Sequence, residues 1–177
     1  MISPFRCWPA LVSLLLAVWA GPAAAQPLAQ PLIPPGVHLG VTVSELREAV
    51  PGLHPVPRPQ SVAGAVGRWR VDGVQQAGLA FDETFFFAGP ALQRVELLLQ
   101  PGTSSTSGEA FAHLVASLQA QYGPELPLHG ALSSVEAGSA SWVHDGVDIL
   151  ALQSGSAGRT SVRLIYKARV LKDAGEL

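Results

Sequence analysis

The feature that most constrains this chain is that it resembles itself. Shifted by 73 residues, Pro51 meets Pro124, Leu53 meets Leu126, Ser61 meets Ser134 and Val62 meets Val135. Trp69 then meets Trp142, and Asp72-Gly73-Val74 meets Asp145-Gly146-Val147. These are eight identities in the 24 positions from 51 to 74, where a chain of this composition gives about two by chance. Self-similarity at a fixed spacing marks a repeated supersecondary unit.

Each copy has the same order of signals. GVTVSELREAVPGL carries a capping box, Thr42 with Glu45, and an apolar helical face of Val43, Leu46 and Val50 before Pro51-Gly52 ends it. TSGEAFAHLVASLQAQYGP repeats this with Thr106 or Ser107 as cap, Glu109 behind it, and a stripe of Phe111, Leu114, Val115, Leu118 and Tyr122. A loop follows each helix, then a tryptophan, then Asp-Gly. Asp-Gly between alternating apolar residues is the strongest short hairpin signal, so Trp69 and Trp142 are expected at equivalent corners, entering hairpins at Asp72-Gly73 and Asp145-Gly146.

Later strands show clear alternation. Val95, Leu97 and Leu99 share one side of LQRVELLLQ. Val147, Ile149 and Ala151 share one side of the next arm, as do Val162, Leu164 and Tyr166 of TSVRLIYKA. Phe85, Phe86 and Phe87 cannot all face one core from a strand, so their segment is either covered on both sides or an apolar hairpin tip. The predicted fold is α+β: tandem duplicated helix-plus-three-strand units, residues 37–100 and 106–170, forming one antiparallel sheet of about six strands with two helices packed on one face.

The first 25 residues read as a secretory signal peptide. Arg6 precedes the apolar run Trp8 to Ala20, Gly21-Pro22 breaks it, and Ala23-Ala24-Ala25 offers a cleavage site. Residues 26–36 are a proline-rich linker, 37–170 the domain and 171–177 a tail. Cleavage after Ala25 would leave 152 residues, enough for one core. It would also remove Cys7, the single cysteine, and with it any disulfide or thiolate chemistry. Ten basic residues then stand against 13 acidic, a balance that argues against nucleic acid as a partner. No later run is apolar enough for a membrane-spanning helix, so the expectation is a periplasmic or secreted protein with no integral membrane segment.

Catalytic signatures are weak. The five histidines show no paired spacing of a helical zinc site, so no metal or cofactor is expected. His144 stands beside Asp145, but neighbours on a strand point to opposite faces and Asp145 is assigned to the turn. SGSAGRTS, from Ser154, lacks the lysine of a phosphate loop and precedes a strand. GTSSTSG, from Gly102, reads as a linker and cap. PGLHPVPRP reads as an extended surface loop.

The better candidate is the sheet face opposite the core. Alternation places Arg94, Glu96, Leu98 and Gln100 there on one strand, Arg163, Ile165 and Lys167 on another, and Arg68 and Arg70 beside Trp69. If the strands are neighbours, Arg70, Arg94, Arg163 and Lys167 form a basic stripe with Leu98 and Ile165 exposed in it. Such a face suits a protein or an anionic envelope component. The plain alternative is a solvated face balanced by Glu96 and Asp148.

The opening Gly40-x-Thr42-x-x-Glu45-Leu46-Arg47 ahead of strands with a tryptophan resembles the small lipoprotein of the outer-membrane β-barrel assembly machinery. Two such units in tandem resemble the β-lactamase inhibitor protein architecture. The chain departs from the first in lacking a lipid-accepting cysteine and from the second in lacking disulfide pairs. The resemblance implies a role in binding other proteins and transfers no site residue. The expectation is an exported, non-enzymatic protein- or ligand-binding module. The alternatives are an enzyme assembled only in three dimensions, around His144, Asp148 and Arg163, or a structural envelope component.

Overall fold

The structure is a computed structural model that describes residues 37–102, 107–127, 136–156 and 159–169. The signal segment, the linker, the Thr106 cap and the tail lie outside the described residues. The described residues contain two helices, α1 (Val43–Ala49) and α2 (Ser107–Tyr122). The strands are β1 (His54–Pro55), β2 (Ser61–Val62), β3 (Ala65–Gln76), β4 (Leu79–Ala88), β5 (Ala91–Leu99), β6 (Glu136–His144), β7 (Val147–Ser156) and β8 (Arg159–Ala168). They form one antiparallel sheet of eight strands in the order β1-β3-β4-β5-β8-β7-β6, with β2 also on β3.

This corrects the expected tandem of helix-plus-three-strand units under two matched helices. The described residues are mostly strand, and the two helices among them are unequal, 7 and 16 residues long. Only α2 lies along strands, over β6, β7 and β8. The short α1 meets the core through Leu46, which is fully buried. The length of α1 is fixed by its Thr42 cap and by Pro51-Gly52 just after it, and the core beside β4 is filled by Phe81, Phe85 and Phe87 with Val37 and Val41. Two strands also arise where none was expected: the predicted surface loop PGLHPVPRP supplies β1, paired to β3 through His54↔Arg70 and Pro55↔Trp69, and Ser61–Val62 after it supplies β2.

The two Asp-Gly pairs do different things. Asp145 and Gly146 both have positive φ, 48° and 75°, and join β6 to β7 directly across His144↔Val147. That is the two-residue hairpin the sequence predicts. Asp72-Gly73 is no hairpin. Strand β3 runs through it, with Val71 opposite Glu83 and Val74 opposite Phe81, so two residues stand against Asp82 alone. This is a bulge, and Gly73 takes a positive φ (71°) within it. The β3–β4 turn comes later, at Ala77-Gly78.

The tryptophans differ accordingly. Trp142 is buried, and its Nε1–H donates to the Gly123 carbonyl after α2 at 2.9 Å. Trp69 is only partly buried, and the Arg47 guanidinium of α1 lies 4.2 Å from its ring centroid. The capping box holds as predicted, with Glu45 N–H donating to Thr42 Oγ1 and Thr42 N–H donating to the Glu45 carboxylate at 2.7 Å. The Thr42 N–H and, after it, the Thr42 hydroxyl donate to the Glu45 carboxylate and hold its pKa below the ordinary value. Phe86 turns to the opposite face from Phe85 and Phe87 and is nonetheless buried, so this segment is covered on both sides.

Candidate functional site: the outer sheet face

Strands β5 and β8 pair directly, which sets the rows of the outer face. Leu98 stands beside Arg163, Glu96 beside Ile165, and Arg94 beside Lys167. The residues expected to share a face are therefore brought together, with one correction: Ile165 is 3 % exposed, not displayed. It sits in the middle of the sheet between Glu96 and Leu150, where side chains from both neighbouring strands close over it. Leu98 is exposed at 41 %.

The basic residues do not form a bare stripe. Arg94 is bound to Glu96 Oε1 at 2.5 Å and is largely covered. Arg163 reaches the other Glu96 oxygen only at 3.7 Å and stays half-exposed. Lys167 pairs with Asp148 at 3.7 Å. Arg70 is held between Asp72 and Asp82, the latter at 2.8 Å. The face is thus a set of ion pairs in which the expected Glu96 and Asp148 are joined by two aspartates of the bulge region. The more exposed of these pairs, Arg163–Glu96 and Lys167–Asp148, contribute little stability, because water screens them.

Two clefts open on this face. One, of about 530 Å³, lies between residues 56–60 and strands β3, β4, β5 and β8. The other, of about 500 Å³, lies at the β6–β7–β8 end, with Leu126, Val143 and Lys167 on its walls. Among the described residues the large apolar side chains left exposed are Leu98, Leu126 and Val143. Leu98 lines the first cleft, the other two the second. Sequence reasoning missed Leu126, Val143 and the 56–60 rim. Val143 could have been found, since an apolar residue directly after the core-facing Trp142 breaks the alternation.

The residues of the three-dimensional enzyme alternative do not converge. His144 packs its ring 5.2 Å from that of Tyr122 on α2, and Asp148 and Arg163 are engaged by Lys167 and Glu96. No group of three or more His, Cys, Asp or Glu able to hold a metal occurs among the described residues. The most perturbed carboxyl is Glu83, whose burial pushes its pKa up to about 7. It points into the core between Val71 and Leu97, while its neighbour Thr84 lines the outer cleft. Neither Glu83 oxygen has a hydrogen-bond partner, and the same holds for the buried Tyr166 hydroxyl, whose pKa burial raises well above the ordinary 10.

Compared with known proteins, the chain matches no family model, no curated protein and no solved structure. No described helix is long and apolar enough to cross a membrane.

Proposed function

We propose that this is an exported, non-enzymatic binding module, acting in the periplasm after cleavage at Ala25, whose outer sheet face docks a partner protein. The observation that carries the reading is the distribution of exposed apolar surface. Leu98, Leu126 and Val143 all open onto the two clefts of one face, and the helix-covered face has no counterpart among the described residues. Apolar groups set among balanced ion pairs are the composition of a docking surface, where the pairs give orientation and the apolar groups affinity. A catalytic site would instead place a perturbed titratable group in a cleft, and Glu83 lies on the other side of the sheet from both.

The test is capture of one identified partner from an envelope extract of the producing cell by wild-type protein, repeated with two variants. Leu98→Glu/Leu126→Glu/Val143→Glu and Arg94→Glu/Arg163→Glu/Lys167→Glu should each lose that partner while keeping the wild-type circular dichroism. Retention of the partner by both folded variants removes the face from consideration.

A further inference from the structure

Resting on that docking role, we propose that the cleft rimmed by residues 56–60 is the recognition pocket of the face. It takes an acidic segment of the partner protein, with a carboxylate between Arg58 and Arg163 and an adjoining large apolar side chain against Phe86 and Leu98.

The argument begins with unused charge. Three guanidiniums line the cleft, Arg58, Arg70 and Arg163, against one carboxylate, Glu96. Arg70 is satisfied by its two aspartates. Glu96 is committed to Arg94 through its better contact, which leaves Arg163 with a 3.7 Å approach to the remaining oxygen. Arg58 forms no ion pair among the described residues. Two guanidiniums therefore face one cavity with donor capacity unfilled, and planar guanidinium groups pair best with carboxylates.

The rim is built to hold Arg58 in place. It stands between Pro57 and Pro59, whose rings fix the local backbone. Both ends of the rim are tied to β3: Val56 N–H donates to the Arg68 carbonyl, and Gly67 N–H donates to the Gln60 carbonyl, each at 2.9 Å. With the backbone fixed, binding has only the Arg58 side chain left to order.

Exposed Leu98 supplies the apolar half, above a floor formed by the largely buried Phe86. The Phe86 ring lies over Gly67 so closely that a Cβ there would stand 2.9 Å from Cε1. Glycine at this strand position needs no unusual φ, so the close approach of the ring is what it permits. With the ring laid toward β3, exposed Leu98 completes an apolar wall beside the two arginines. A sulfated or phosphorylated polymer would want a row of uncompensated cations. The face denies that, since Asp72, Asp82, Glu96 and Asp148 stand along it.

The experiment titrates purified, isotope-labelled protein with a short end-blocked peptide carrying glutamates on either side of one leucine, read by amide chemical shifts. Saturable shifts at Gly67, Leu98 and Arg163 are expected. Affinity should fall by about tenfold for each guanidinium lost in Arg58→Glu and Arg163→Glu, and comparably when glutamine replaces glutamate in the peptide. Gly67→Val, which improves strand propensity but drives the ring into the cleft, should abolish binding at an unchanged fold. Arg47→Glu, on α1 and away from the outer face, should leave it intact. Equal binding of the glutamine peptide, of a leucine-free glutamate peptide or of inorganic polyphosphate overturns the inference, as does indifference to both arginine variants. If the peptide fails while the Leu98, Leu126 and Val143 variant still loses its partner, the pocket assignment falls and the docking face stands.

Discussion

Replacing Glu83 with glutamine should make the protein more stable at pH 8 and leave it unchanged at pH 4. The side chain is 0 % exposed, flanked on the sheet by Val71 and Leu97, and neither oxygen has a partner. Removing a carboxylate from water without compensation disfavours the charged form, so its pKa rises from 4.5 to about 7. The folded chain then holds this proton more tightly than the unfolded chain does. Its stability contribution is complete below pH 4.5 and is lost as pH rises through 7. Converted at about 1.4 kcal/mol per pH unit, the loss by pH 8 is on the order of 3 kcal/mol. For a domain of this size that corresponds to a Tm difference of about 6–12 °C. Urea denaturation of wild type and Glu83→Gln across pH 4–8 isolates the effect, since every other ionisable group is common to both. Parallel pH profiles, or a wild-type stability that falls no faster than the variant's above pH 5, would refute the reasoning. Glu83→Leu should be more stable than either at all pH values, because no polar atom is then buried unpaired.

Other substitutions follow from the same geometry. Trp142→Phe removes a buried indole and its bond to Gly123, and should cost about 2–3 kcal/mol in urea denaturation. Trp69→Phe, losing only a half-buried ring and the Arg47 contact, should cost about 1 kcal/mol. Equal costs would contradict the different surroundings of the two indoles. Gly146→Ala, at a φ of 75° in a two-residue turn, should destabilise by about 1–2 kcal/mol in the same assay.

Much of the local structure was legible because it obeys short-range rules. The Thr42–Glu45 capping box, the α2 stripe centred on Leu114 and Leu118, and the inward sets Val95/Leu97 and Val162/Leu164/Tyr166 are all fixed by neighbours within a turn or a strand step. The candidate face was legible in part. Alternation put Leu98, Arg163 and Lys167 on one face with Glu96 and Asp148 as the balancing carboxylates, but it could not see that Ile165 is covered or that Asp72 and Asp82 hold Arg70. The rim at Arg58 was hidden, since a proline-rich stretch looks the same whether it floats in water or is tied to a sheet edge. Glu83 was hidden as well, because nothing local marks a glutamate whose cross-strand neighbours are Val71 and Leu97.

The clearest division falls at the two Asp-Gly pairs. By itself the sequence determined that the backbone takes positive φ at Gly73 and at Gly146, because glycine makes that conformation cheap at any location. Whether the positive φ turns the chain back on itself or merely kinks a continuing strand depends on which residues lie opposite. Val147 is free to pair with His144, so β6 ends at His144 and Asp145-Gly146 makes the turn. Val74 is held opposite Phe81 in a strand packed on the phenylalanine core, so β3 continues through the bulge. That choice belongs to contacts between residues distant in sequence, and only tertiary packing could make it.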